Sequence, residues 1–546
     1  MNDGSAPDTS GLNHTMATTT STSPAVISTG RRALAGLLGG AVALATGELV
    51  AGLLAPTPSL VTAVANRVID GSPQWMTELG KSLFGTNQKT ALVIGTVILA
   101  GLFAAALGIA SKRAPAVGVA GITAFGFVGM LAIGSDSQGS VGAGAIIATA
   151  GVVAGVTVLI GLLNAERGQA PASEQTISEA SAPARVRRNF LRLAGGAGVV
   201  AFLGTIGGRG LRNNSSAEAA RADVDLTVAP PNDAAAVVSE VQSVAAGEVA
   251  STPGITPIVV PNSDFYRIDT ALVVPQIDPA DWVLTIDGMV DTPLTFTFED
   301  LVAQADLIAP VTLSCVSNQV GGDLVGNAVW QGVPLTALLD QAGVQPGATQ
   351  IASTSVDGWD CGFPTDLAYD GRTAMVAIAM NDEALPLEHG FPARLVVSGL
   401  YGYVSATKWL DRITLTTLED FNGYWIPRGW AKDGPVKTQT RIDTPRRGEQ
   451  VDQGVERSIA GVAWAPNIGI RTVEVQVDDG PWAEAELGES LGINAWRQWR
   501  LRWTPESGDH VIRVRSTDET GATQTEERTP VAPDGASGWH TVNVSA

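Results

Sequence analysis

The sequence predicts three successive regions: an all-α transmembrane part of about five helices, a mixed α+β domain, and a small immunoglobulin-like β-sandwich. Three observations carry this. Apolar runs close to the ~20 residues needed to cross a bilayer crowd into the first two-fifths of the chain. From about Pro257, strands interleave with short helices, which indicates an α+β domain. After about Lys437 the pattern changes to short alternating strands with tight turns. At 546 residues the chain is also too long for one ordinary core.

Hydrophobic residues make up 45% and charged residues only 16%, with most acids after Ala217. A net charge of −20 argues against nucleic acid as a partner, since phosphate contacts need clustered Lys and Arg. It also argues against a surface lying flat on anionic lipid. Two cysteines are too few for a disulfide framework, so any disulfide would be a single Cys315–Cys361 bridge.

Met1 to Gly30 is rich in Ser, Thr, Asn and Pro and reads as a disordered cytoplasmic tail. The transmembrane region is expected over 31–207, with apolar runs at Ala33–Ala55, Ala91–Ala110, Ala114–Ile133, Val141–Leu163 and, shorter, Leu193–Gly207. Arg31 and Arg32 precede the first, Lys112 and Arg113 separate the second and third, and Arg167, Arg185, Arg187, Arg188 and Arg192 precede the fifth. The loop after the first holds only Arg67, Lys81 and Lys89, and Ser135–Ser140 holds no cation. By the positive-inside rule the N-terminus is cytoplasmic and everything after Arg209 is extracytoplasmic. The helices meet membrane lipid, and their Gly- and Ala-rich faces suit close packing.

Arg187-Arg188-Asn189-Phe190-Leu191 looks like a twin-arginine export signal, which would suit a domain that acquires a cofactor before export. The bland reading is that these arginines are only positive-inside charges. Ala217-Glu218-Ala219 resembles a small-residue cleavage site, which leaves release of the outer domain open. Glu48, the one clearly intramembrane charge, lies about two turns from its helix end, where snorkelling favours a structural or interfacial role. The four histidines are His14, His389, His510 and His540, none in a membrane run, so no haem is expected.

Residues 208–256 are rich in Ala, Pro, Ser and acids and read as an extracytoplasmic linker. The α+β domain is expected over 257–437. Trp282–Gly288 alternates as a strand ending in a turn, Phe298–Ala305 and Leu335–Ala342 read as short helices, and Thr312–Cys315, Gln350–Ser355 and Arg394–Val397 as strands. In 438–546, Ser458–Trp464, Thr472–Val477 and His510–Ser516 read as strands, and Asp478-Asp479-Gly480 as a hairpin turn. Trp464, Trp482, Trp496, Trp499 and Trp503 read mostly as core.

The sharpest local signal is Val311-Thr312-Leu313-Ser314-Cys315-Val316-Ser317-Asn318-Gln319-Val320-Gly321-Gly322, followed by Gly326-Asn327-Ala328-Val329-Trp330-Gln331-Gly332-Val333-Pro334-Leu335. A cysteine ending an apolar strand before a Gly- and Asn-rich loop sits where backbone can approach a ligand closely. Its thiolate could hold a soft transition metal; a buried thiol or a disulfide to Cys361 would produce the same pattern.

This segment resembles the molybdenum-ligand region of the sulfite-oxidase family of molybdopterin-dependent oxidoreductases. Three further stretches match in order: Asp264-Phe265-Tyr266-Arg267; Asp357-Gly358-Trp359; and His389–Val397 with Gly402–Leu410. The resemblance covers about Pro257–Ala546. It implies a sulfite-oxidase-like fold, a molybdenum–molybdopterin cofactor and Cys315 as the metal ligand. It also implies that Ser263, Tyr266, Arg267 and Asp357 line the pterin, though an Asp-Gly turn also explains Asp357. His389, Arg394 and Lys408, with the backbone and hydroxyls of Ser405, Ala406 and Thr407, would bind its phosphate through charge-assisted hydrogen bonds. Cys361 reads as structural.

The implied chemistry is two-electron oxygen-atom transfer on a small substrate, with an unidentified electron-transfer partner. The family's substrate-holding arginines after the metal cysteine are here Gln319 and Val320, and its active-site tyrosine falls near Trp430. Arg267 and Arg428 remain as cations. Cys315, Arg267 and Trp430 are thus the catalytic candidates. A neutral S-oxide or N-oxide, reduced, is as plausible a substrate as sulfite, oxidised. The family's C-terminal domain often dimerises, which makes a homodimer through 438–546 an expectation. The alternative, from another class, is a membrane-anchored binding or scaffold protein without catalysis.

Overall fold

The computed structural model describes residues 29–546 except 55–56, 74–75, 77–78, 80–82, 85–87, 112–113, 167–181, 214–215 and 227–232. The N-terminal tail to residue 28, His14, Lys81, Lys112, Arg113, Arg167 and the side chain of Arg185 lie outside the described residues.

The N-terminal part is helical: α1 (Thr29–Leu53), α2 (Leu60–Gly71), α3 (Gln88–Ala110), α4 (Pro115–Gly134), α5 (Val141–Glu166) and α6 (Ala182–Asn213). Among the described residues all but α2 are long and apolar enough to cross a membrane. In a bilayer each such run must satisfy its backbone internally, which only a helix does for a single segment. Helix α1 packs against α3, α5 and α6. Gly36 and Gly108 let α1 and α3 touch backbone to backbone: a Cβ on Gly36 would overlap the Ala104 carbonyl. Helix α6 extends well beyond the apolar run at Leu193–Gly207, because arginine is a good helix former and Arg187, Arg188 and Arg192 continue it. Helix α2 is capped by Ser59, whose hydroxyl accepts from the Thr62 amide at 3.2 Å. Its Leu60 and Ala63 pack on Ala132 and Ile133 of α4.

The expected linker over 208–256 needs correcting. It contains α7 (Ser216–Ala222) and α8 (Ala234–Ala245), and Val244 is buried in the core of the following domain. Arg221 donates to the Ala384 carbonyl at 3.1 Å, and Glu248 pairs with Arg500 at 2.6 Å. This alanine-rich stretch is strapped along the globular part.

Two sheets follow. The first has the order β2 (Leu294–Thr297), β1 (Val283–Gly288), β10 (Leu410–Thr416), β5 (Gln350–Ser355) and β6 (Asp360–Pro364), with β1 and β10 parallel. The second contains β3 (Leu307–Ser314), β4 (Val325–Pro334), β7 (Ala374–Met380) and β8 (Glu383–Ala384), with β9 (Arg394–Val397) also pairing with β7. Two short helices, α9 (Phe298–Val302) and α10 (Leu335–Ala342), and the single turn α11 (Gly402–Ser405) complete it. Strand β7 is buried along its whole length, as a central strand covered on both faces must be.

The last part is a β-sandwich. One sheet runs β11 (Gln439–Thr444), β12 (Arg457–Trp464), β16 (Arg497–Trp503), β15 (Glu486–Leu487). The other runs β14 (Ala483–Glu484), β13 (Ile470–Val477), β17 (Asp509–Asp518), β18 (His540–Ser545). Trp499 is buried between the sheets, but Trp464 and Trp496 belong to the α+β core. The Trp496 indole donates to the Ile258 carbonyl at 2.8 Å, and its amide to the Thr312 hydroxyl at 2.7 Å. The sandwich thus grips β3 just before Cys315.

Candidate active site

Cys315 stands at the end of β3, and its amide donates to the Leu324 carbonyl at 2.9 Å, closing residues 316–323 into a loop. Asn318 holds that loop through its Oδ1, which accepts from the Leu324 amide at 3.0 Å. The Ser317 amide points at Cys315 Sγ at 3.4 Å. Gly321, at φ +77°, passes against the sandwich so closely that a Cβ there would overlap the His540 ring. Arg441 clamps the loop from the same side, donating to the Gly322 carbonyl at 3.0 Å. Neither cysteine forms a disulfide. Cys361 is instead held by Ser353 and Thr407 at 3.4 and 3.2 Å, and burial pushes its thiol up to about 12, which fits a structural role.

The segment before β1 packs over this loop. Phe265 meets Trp330 and His389 edge-on, at 5.8 and 5.6 Å, and stacks on Tyr266 at 5.1 Å. Burial, and then the neighbouring Cys315, raise the Tyr266 phenol above its ordinary range, so it remains a neutral donor. His389 Nε2 lies 2.9 Å from the Asn262 carbonyl, and burial pushes the ring down to about 4.

Arg394, on β9, is the most telling cation. It is buried over the Trp330 ring at 4.9 Å and donates to the His389 carbonyl at 3.0 Å. Its Nε has no hydrogen-bond partner among the described residues, and burial pushes the guanidinium down to about 10. Asn318 Nδ2 is likewise a buried donor without a partner there. Buried donors left unsatisfied are costly, so each of these two asks for a ligand. Lys408 donates to Asp269 at 2.7 Å and to the Glu388 carbonyl at 3.0 Å; burial pushes its ammonium down to about 8 against the pull of Asp269.

Some candidates have other commitments. The Ser405 hydroxyl donates to the Tyr401 carbonyl at 3.1 Å, and that of Thr407 lies 2.7 Å from Ser353 Oγ. The Ser405 hydroxyl hydrogen is thus spent within the protein, while the Thr407 hydroxyl sits between Ser353 and Cys361. Ser263, exposed, lies 3.1 Å from Asp264. Asp357 caps its own turn, accepting from the Trp359 amide at 3.1 Å, and burial raises its carboxyl. Arg267 pairs with Asp269 at 2.9 Å, so its position is tied to Lys408. Trp430 packs on Tyr403 of α11 and on Trp425, with centroids 5.9 and 6.4 Å away.

Sequence reasoning missed Tyr401, Asp269 and Lys89. Tyr401 is buried, and Cys315 contributes to raising its phenol to about 12. Asp269 accepts from three cations, which hold its carboxyl well below the carboxylate range although burial opposes this. No local motif marks any of the three.

Residues 271–425 match the oxidoreductase molybdopterin-binding domain family. The chain is similar to mitochondrial sulfite oxidase of Homo sapiens, 28% identical over 340 residues, covering 52% of this chain and 61% of that one. It is 35% identical over 157 residues to the uncharacterized oxidoreductase YuiH of Bacillus subtilis, covering 29% of this chain and 76% of that protein. It is 32% identical over 178 residues to an NADH nitrate reductase of Solanum lycopersicum, covering 28% of this chain and 19% of that enzyme. The sulfane dehydrogenase SoxCD structure from Paracoccus pantotrophus aligns with a TM-score of 0.46 and 25% identity, over 54% of this chain and 82% of that one. Cys315, the buried His389 and the buried cations Arg394 and Lys408 thus lie in a molybdopterin-binding domain. The chain belongs to the sulfite-oxidase family of molybdopterin-dependent oxidoreductases. It spans 61% of the length of the human sulfite oxidase it matches.

The residues present fit a molybdenum–molybdopterin cofactor. Among the described residues no three His, Cys, Asp or Glu side chains gather to hold a metal by themselves. A metal on Cys315 would therefore take its other ligands from the cofactor, and the orphaned Arg394 Nε offers an anion-binding donor.

Proposed function

We propose that this protein is a membrane-anchored molybdopterin oxidoreductase that transfers an oxygen atom to or from a small substrate outside the cytoplasm. The carrying observation is Arg394: a guanidinium buried over Trp330 whose Nε has no partner among the described residues. A protein would not retain so costly a charge for stability alone. In this reading Cys315 binds the metal, and Arg394, His389 and Lys408 with the Ser405–Thr407 backbone bind the phosphate end. Tyr266, Arg267, Ser263 and Asp357 line the pterin between them. The cofactor, when bound, supplies two-electron redox chemistry at the metal.

The chain's own residues orient and exclude. Tyr266 and Tyr401, both held protonated, can donate a hydrogen bond to a substrate oxygen near Cys315. Gln319 and Val320 offer no charge beside the thiol, which favours a neutral S-oxide or N-oxide over sulfite. Trp430, with Tyr403 and Trp425, would close one wall against water. The cation distribution supports a cytoplasmic N-terminus and an outer catalytic domain over 257–437, with the sandwich at 438–546 as a dimerisation surface. Electrons would pass to or from a separate partner.

The test is metal and pterin content of the full-length protein, wild type beside Cys315→Ser. We expect about one molybdenum per chain with fluorescent pterin, and metal lost from the variant. A folded, membrane-inserted wild type lacking both would overturn the reading.

A further inference from the structure

We infer that the helical region is a working part of the cofactor site: Lys89, at the start of α3, supplies the charge that frees Lys408 to hold an anion. This rests on the molybdopterin reading. Asp269 is the pivot. Its side chain is only 5% exposed, and its Oδ2 accepts from Lys408 at 2.7 Å and Arg267 at 2.9 Å. Its Oδ1 accepts from Lys89 at 2.7 Å. Lys89 also donates to the carbonyls of Asp269 at 2.6 Å and Ala271 at 2.8 Å. An ammonium has three N–H donors, and all three are spent on this short segment. Such a contact is a docked joint with fixed geometry, not a passing surface pair.

The charge balance gives the joint its function. Lys408 and Asp269 alone cancel, and an incoming dianionic phosphate would meet a neutral pair. With Lys89 and Arg267 added, three cations surround one carboxylate, a net charge of +2. At low effective dielectric that difference is felt strongly. Arg267 and Lys89 are both partly exposed, at 42% and 34%, but Lys89 arrives from a different region of the fold with all three of its donors fixed. The docking is broader than one residue. The Tyr424 hydroxyl lies 3.3 Å from Asp70 of α2, and the turn at Gly358 lies against Ser137, which follows α4. A cavity of 510 Å³ lies in the same seam, between α2, the loop after α4 and Asp357–Trp359. The helices therefore dock against the catalytic domain beside Asp269 and Asp357–Trp359, and a catalytic part cut free of them would lose the Lys89 cation from beside Lys408.

The experiment uses the full chain in lipid nanodiscs: wild type, Lys89→Met, Lys89→Arg and Lys89→Met/Asp269→Asn. One readout is pterin retained after repeated dilution. The other is hydrogen exchange of residues 264–276 in protein produced without cofactor, with β13 and β17 as a folded reference. We expect Lys89→Met to lose pterin about tenfold faster, the low end of what an outer-shell partner contributes to holding a metal site. Lys89→Arg should restore retention, and Asp269→Asn in the Met background should recover part of it by removing the unmatched carboxylate. Exchange over 264–276 should rise in Lys89→Met alone. Pterin retention and exchange both equal to wild type would overturn the inference. A wild type without pterin would refute the function instead, and the exchange comparison would still decide the docking.

Discussion

Replacing Arg394 with methionine should make the cofactor-free protein more stable while removing its ability to hold cofactor. Methionine keeps most of the side-chain length over Trp330 and removes the charge. Burial pushes the guanidinium from 12.5 down to about 10, a desolvation cost on the order of 3 kcal/mol. Against this stand the hydrogen bond to the His389 carbonyl and the contact with Trp330, together about 1–2 kcal/mol. The balance is a gain of about 1–2 kcal/mol for the variant without cofactor. That corresponds to a rise in melting temperature of a few degrees, about 2–4 °C per kcal/mol for a domain of this size. The assay is tryptophan-fluorescence melting of detergent-solubilised protein from a cofactor-deficient host, with pterin retention measured on protein from a competent one. Functional sites hold such unfavourable groups at a cost to stability. A variant that melts lower than wild type without cofactor would refute the reasoning. It would mean that the protein already satisfies the charge, and that no anion is needed to explain it.

Two other expectations follow from the same geometry. Burial holds His389 and His540 neutral down to about 4, against an ordinary value of 6.5. The unfolded chain takes up a proton at each as pH falls below 6.5, whereas the folded chain does not until pH 4, so stability falls across that window, on the order of 3 kcal/mol per histidine. Denaturant midpoints from pH 7 to 4.5 should show His540→Asn losing about one proton's worth of this slope; an unchanged slope would place the proton elsewhere. Gly321→Ala forces a side chain onto the His540 ring at φ +77° and should cost about 2–3 kcal/mol together with metal content. Adding His540→Ala should return the steric part but not the backbone strain, and a fully tolerated Gly321→Ala would show that the loop does not pass where the structure places it.

The sequence alone determined the elements whose cause is local. A run of about 20 apolar residues has no favourable state in lipid but helix, so all five apolar helices were legible, the first four within a few residues and the fifth only in its apolar centre. The strands β9 and β5 were legible to the residue, and an apolar strand ending in Cys-x-x-Asn and paired glycines marked the thiol loop. Composition misled over 208–256, because an alanine-rich stretch reads alike whether it dangles or docks, and only the surface it meets decides. The hydroxyls of Ser405 and Thr407 looked like phosphate ligands and turned out to be bonded within the protein. The tertiary structure alone decided the charge balance of the cleft. Lys89 and Asp269 are 180 residues apart, and an ion pair across that distance leaves no periodicity or spacing in the sequence. What a residue can do chemically is written in its type; whether its donors are already spent depends on what the fold brings beside it.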